Sequence, residues 1–259
     1  MTRSAKALLI CTGLLCSLCL GSPALADGVK IVPSVPYREQ FYPVTLFELA
    51  GVRLGMTRDE VQARAAQGDV EGKPFLDTAT LSLTGPSAKV QSEPYLNRIS
   101  IDIKPNAGNL RVMFSVPSIG DRVVALAFIR LYSDLKAAPS VGEVLEQFEA
   151  KYGKSVRVHL PAPDEWATRE DWFFSATGPV PCGGSYCLAN AASGLHNIPR
   201  LIDSTSGGER VIVSVFLITH KADPTRVESV SVNIEDVANE LLALTEARKQ
   251  LEAALPKAP

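Results

Sequence analysis

Arg111-Val-Met-Phe-Ser-Val116 and Arg210-Val-Ile-Val-Ser-Val215 are the two stretches whose reading decides the fold. Leu110, Val112, Phe114 and Val116 alternate with their neighbours, the period of a strand with one buried face. Each stretch precedes a second apolar run opened by the same dipeptide, Arg122-Val123 and Arg226-Val227. In "RVVALAFIRLY" both faces are apolar, Val124, Leu126 and Phe128 against Val123, Ala125 and Ile129. That pattern predicts a central strand with helix or chain lying over one side. "PSIGD" supplies the turn between the first two runs.

A helix start lies upstream of each pair. Thr57 with Glu60, and Ser140 with Glu143, both have the Ser/Thr-x-x-Glu spacing of a capping box. The first helix sets Val61 and Ala65 on one face. In the second, Val141, Val144, Leu145, Phe148 and Tyr152 form an amphipathic stripe that stops at Gly153. Between the first cap and its hairpin, "RISIDIK" alternates with Ile99, Ile101 and Ile103 inward. The order predicts an α+β chain: two tandem helix-plus-antiparallel-meander repeats with a C-terminal helix. Chance similarity between apolar strands is the alternative. The expected boundaries are a signal peptide at 1–26, an extended arm at 27–45, the first repeat at 46–136 and the second at 137–236. Residues 237–259 form the helix and tail. Val237, Leu241, Leu244, Leu251 and Leu255 predict a helix packed on a sheet face, or a short coiled-coil contact with a partner.

The opening "MTRSAKALLICTGLLCSLCLGSPALADG" has a basic start, an apolar run and the small-residue site Ala24-Leu25-Ala26. This is the layout of a secretory leader cleaved after Ala26, and the apolar run is short of the roughly 20 residues that span a bilayer. The expectation is a soluble periplasmic or secreted protein with no transmembrane segment. Cys11, Cys16 and Cys19 leave with the leader; the residues before them (Ile10, Leu15, Leu18) are bulky, unlike a lipidation site. The arm, "DGVKIVPSVPYREQFYPVT", combines prolines with Tyr37, Phe41 and Tyr42 and should lie extended over the body. A formal net charge of −2 without a basic run excludes nucleic acid and anionic membrane surfaces as partners.

Cys182 and Cys187 then stand alone in "VPCGGSYC". In an oxidising compartment they are expected to form a disulfide, with Gly183 and Gly184 giving the backbone the freedom to close. A zinc site is the alternative, but Cys-x4-Cys-x8-His, ending at His196, lacks a ligand. A catalytic thiol is another, but it lacks a His/Asn pattern downstream. No cofactor motif is present.

"LGMTRDEV", Leu54 to Val61, resembles the helix start of the SmpA/OmlA outer-membrane lipoproteins and of other repeats with β-lactamase-inhibitor-protein-like architecture. The resemblance implies a helix on a small antiparallel sheet, in an envelope protein with a binding surface. This chain departs from the pattern: the lipidated cysteine is absent, and no Leu-Gly-x-Pro ending follows the first helix.

His159, His196 and His220 are scattered singly, and no nucleophile or phosphate-binding motif occurs. The reading is a non-catalytic binding protein, engaging a protein or envelope component through a sheet face, the aromatic arm or the insertion loop. Trp166, Trp172, Tyr186, Tyr37, Phe41 and Tyr42 are the candidate surface. The alternative is an envelope hydrolase acting on glycans, with Asp164, Glu165, Glu170 and Asp171 as candidate acids beside Trp166 and Trp172.

Overall fold

The structure, a computed structural model, describes residues 28–39, 44–67, 70–104, 108–159, 167–181 and 194–256. The leader, Phe41, Tyr42, Asp164, Glu165, Trp166, Cys182, Tyr186 and Cys187 lie outside the described residues.

Beyond the arm, a short 3-10 turn (Val44–Phe47) leads into the ribbon β1 (Glu48–Leu49) and β2 (Val52–Arg53) and the helix α1 (Arg58–Ala65). Then come β3 (Val70–Ala79), the small ribbon β4 (Ser82–Thr84) and β5 (Lys89–Gln91), β6 (Tyr95–Ile103), β7 (Gly108–Phe114) and β8 (Val123–Leu131). The helix α2 (Val141–Tyr152) opens the rest: β9 (Arg157–His159), β10 (Ala167–Phe174), α3 (Ile198–Ser204), β11 (Val211–His220), β12 (Asp223–Glu235) and α4 (Val237–Ala254). The main sheet is antiparallel and runs β3-β6-β7-β8-β12-β11-β10-β9. The α+β class and the C-terminal helix are as expected.

Both helix starts form as the spacing predicts. Glu60 N–H donates to Thr57 Oγ1 at 3.3 Å, and Thr57 N–H returns to Glu60 Oε2 at 2.7 Å. At α2 the corresponding Ser140 and Glu143 bonds are 3.2 and 2.7 Å. Each box satisfies two backbone donors that a helix end would otherwise leave orphaned. The α2 helix stops where Gly153 takes φ of +82°, a conformation that costs glycine nothing.

One sheet face is covered except at its β3 edge, where Leu76 beside Ile99 is exposed. Ile99, Val112 and Leu126 pair side by side across β6, β7 and β8, and Leu217 meets Val230 across β11 and β12. All are buried together with Phe47, Val61 and Val144, beneath α1 and α2. Trp172 belongs to this core: it is 1 % exposed, its ring centroid lies 5.6 Å from that of Tyr152, and its indole N–H donates to Gly153 O at 2.8 Å. The expectation of a surface tryptophan at 172 is therefore wrong. Strand alternation turns it toward α2, where an indole buries far more apolar area than at an open edge.

The second face is covered at one end only. Val237, Leu244 and Leu251 of α4 are buried there with Phe173, Leu201 and Ile212, so this helix is seated on the sheet and on α3. Each such leucine contributes about 1.5–3 kcal/mol by leaving water. Residues 28–39 lie over the same end. Val29 bridges Ser92, Ser34 N–H donates to Ser118 O at 2.9 Å, and the Gln250 side chain pairs with both backbone groups of Val32. β8 is central, between β7 and β12, with Val124 under this cover and Leu126 in the opposite core.

The match between Arg111–Val116 and Arg210–Val215 is out of register. Phe114 pairs with Val123, whereas Thr219 pairs with Val227. With Arg122-Val123 set against Arg226-Val227, Phe114 answers to Thr219, not to Val213. The strings are alike only as apolar strands: Val112 and Phe114 bury one face, whereas Val211 to Val215 are buried on both.

Candidate binding surface

Beyond the edge of α4 the second sheet face is open, and alternation decides what it displays. In one cross-strand row Leu131, Ser229, Ile218 and Ala167 stand side by side. In the next stand Asp102, Asn109, Ile129, Ser231, Phe216 and Arg169. A third holds Arg111, Ala127, Asn233, Ser214 and Asp171. Leu131 is 69 % and Ile218 44 % exposed, while Ile129 and Phe216 are half-buried. The centre is thus apolar with short serine and alanine side chains between, and charge sits at its margins.

One margin is rigid. Arg169 Nε donates to Asp171 Oδ1 at 2.8 Å and its Nη2 to Ser214 Oγ at 3.1 Å, while the guanidinium lies 4.7 Å over the Phe216 ring. Ser214 Oγ donates to the same fully buried Asp171 carboxylate. The planar cation is fixed before anything binds. At the other margin a groove of about 540 Å³ is lined by Glu71, Asp102, Asn109, Arg111, Ile129 and Leu131.

The structure separates the two described acids of the sugar-cleft reading, Glu170 and Asp171. Glu170 and Asp171 are consecutive in β10 and point to opposite faces. Burial, and then Glu149, pushes the Glu170 carboxyl up, opposed by a bond from Ser155. Tyr37, half-buried, donates from its hydroxyl to Asp236 Oδ2 at 2.7 Å at the start of α4. His196 follows Gly194 in a 3-10 turn, and among the described residues no three His, Cys, Asp or Glu side chains form a metal-binding group.

Sequence reasoning missed a buried acidic cluster where β12 meets α4. Glu235 and Asp236 are almost wholly buried and Glu240 nearly so. Arg200 Nη2 of α3 donates to Glu235 Oε1 at 2.9 Å. Burial first, then the charge of Glu235 and a hydrogen bond with it, raise the Glu240 carboxyl well above its ordinary value. Tyr95 is pushed up to about 12 by burial and by Glu240. Acids at a helix start read as an ordinary solvated first turn, so only the three-dimensional cover reveals them. Among the described residues no helix is long and apolar enough to cross a membrane. No family model matches the chain, nor does any curated protein or solved structure.

Proposed function

We propose an exported, non-catalytic binding protein that engages a protein partner through the open end of its second sheet face. The observation that carries this reading is the Leu131–Ser229–Ile218 row. A sheet covered on one side by α1 and α2 leaves Leu131, Ile218 and, on the edge strand β3, Phe75 exposed on the other, with Ile129 and Phe216 flanking the first two. An apolar centre with a fixed arginine at its rim is the anatomy of a protein interface. The short serines and alanines between favour broad contact over a deep pocket. Export and a Cys182–Cys187 disulfide remain part of the proposal, supported by the leader and the thiol spacing.

The same proposal holds that the chain is two helix-plus-four-strand units joined edge to edge at β8 and β12, the architecture that the "LGMTRDEV" resemblance implies. Matching details at the two caps support it. Thr57 bridges Arg122 and Ser140 bridges Arg226. Arg122 Nη1 donates to Gly55 O at 3.2 Å, and Arg226 Nη1 to Ala138 O at 2.9 Å. Val123 N–H donates to Met56 O at 2.9 Å, and Val227 N–H to Pro139 O at 3.0 Å. Each acceptor stands at the same offset from its cap. The strand order supports it too, since each unit's last strand is the one at the join.

A photocrosslinker placed at Ala127, in the processed protein in living cells, tests the partner. A macromolecular adduct is expected, absent when the probe is moved to exposed Glu146 on α2 and lost in a Leu131→Asp, Ile218→Asp double variant of unchanged Tm. No adduct at Ala127, or one equally strong from Glu146, overturns the reading.

A further inference from the structure

We infer a second binding site, for an amphipathic organic anion, in the cleft between the arm and the loop that starts α1. The ligand class is a carboxylate or phosphate monoester joined to an apolar body. The cleft holds about 700 Å³, a volume suited to a small ligand. Its wall is the arm, tied down by the Ser34 and Val35 N–H groups on Ser118 O at 2.9 and 3.3 Å and by Tyr37 on Asp236. The Tyr37 ring lies directly on Gly55, where a Cβ would come within 2.9 Å of it. Val35, Phe47, Leu54 and Ile119 supply the apolar lining.

Arg53 and Arg122 enter the same cleft. The Arg53 guanidinium has no hydrogen bond or ion pair among the described residues, whereas Arg122 spends one donor on Gly55 O. The carboxylate that balances both is Glu60, already committed to the Thr57 N–H and hydroxyl at 2.7 and 2.9 Å. Two guanidiniums beside an apolar wall therefore keep donors for an incoming anion, with the planar fork that suits carboxylate and phosphate alike. Glu39 is the opposing charge at the cleft. This site is independent of the sheet-face proposal, since it shares no residue with it.

Calorimetric titration of the processed protein with decanoate, below its micellar range, tests the site. Decyl phosphate, decanol and inorganic phosphate complete the set. One equivalent of decanoate or decyl phosphate is expected to bind, and whichever binds more tightly identifies the headgroup. Decanol and inorganic phosphate should each bind at least tenfold more weakly. Arg53→Gln should weaken the anion at least tenfold without moving Tm, and Glu39→Gln should tighten it severalfold. The Glu39 variant keeps the test decisive if the Arg53 variant is poorly folded, because Glu39 is exposed and makes no hydrogen bond or ion pair among the described residues. Absence of anion binding, equal affinity for decanol, or Glu39→Gln without effect overturns the inference.

Discussion

Glu240 and Glu235 face each other inside the junction of β12 and α4, where Arg200 Nη2 donates to Glu235 Oε1 at 2.9 Å. Burial first, and then the Glu235 charge, favour the protonated form of Glu240. Its folded pKa is raised, so folding takes up a proton there. The associated stability is whole below the ordinary glutamate range near 4.5 and drains away as pH rises toward the folded value. Asp236 adds to the upward push, Arg200 opposes it, and Tyr95 faces the pair from β6. Glu240→Gln keeps the donor and removes the titration. Its Tm should match the parent near pH 4 and exceed it at pH 8; parallel pH profiles for the two proteins would refute a raised Glu240.

The capping boxes work in the opposite direction. Thr57 bonds hold the Glu60 carboxyl below its usual range, and Ser140 bonds do the same for Glu143. Their stability is present above the ordinary glutamate pKa and is lost as pH falls through the folded values. Thr57→Ala and Ser140→Ala should each cost about 1 kcal/mol, a Tm loss of about 2–4 °C for a chain of this size. The helix starts share no residues, so denaturant midpoints should show the two losses adding. A double variant no less stable than either single would contradict that independence.

Trp172 gives the core an optical report. With its indole buried against Tyr152 and bonded to Gly153 O, its emission should be blue-shifted and resist iodide. Trp172→Phe keeps most of the packing and isolates Trp166 as the other fluorophore. Trp172→Ala should cost about 3–5 kcal/mol. Quenching of the Trp172 component by iodide in the folded protein would contradict its burial.

Local signals in this chain are read correctly because they are local. Thr57 and Ser140 cap as spaced, Ile99, Ile101 and Ile103 face inward, and Gly153 ends α2. What the sequence hides is which face of a strand will be sealed, and by what. Trp172 and Asp171 are neighbours in an aromatic, acidic stretch that looks solvated, yet one lies under α2 and the other beneath Arg169. Glu240 reads as a surface acid until α4 sets it against Asn97, Met113 and Ala125 of the sheet, beside Glu235. The candidate surface was legible as "a sheet face" and no further, because Leu131, Ile218 and Phe216 are ordinary strand residues. Only their neighbours across strands reveal the patch.

The arm offers the sharpest test of how distant segments depend on one another. Tyr37 is held from below by Gly55 and from above by Asp236, which also accepts from Asn239 N–H at 3.0 Å and from its side-chain amide at 2.7 Å. Asn239 in turn pairs with both backbone groups of Arg38. Tyr37→Phe deletes the donor to a buried carboxylate and should cost about 1–3 kcal/mol. Gly55→Ala forces a side chain into φ of +80° and lifts the ring, so it should cost more than the roughly 0.4–1 kcal/mol by which the same change stabilises compatible sites. Both variants loosen the same clasp. Their combined loss should fall short of the sum by 0.5 kcal/mol or more, with each single variant already speeding proteolysis of the arm. Strict additivity, with an arm as resistant as in the parent, would mean that the ring is not what fastens it.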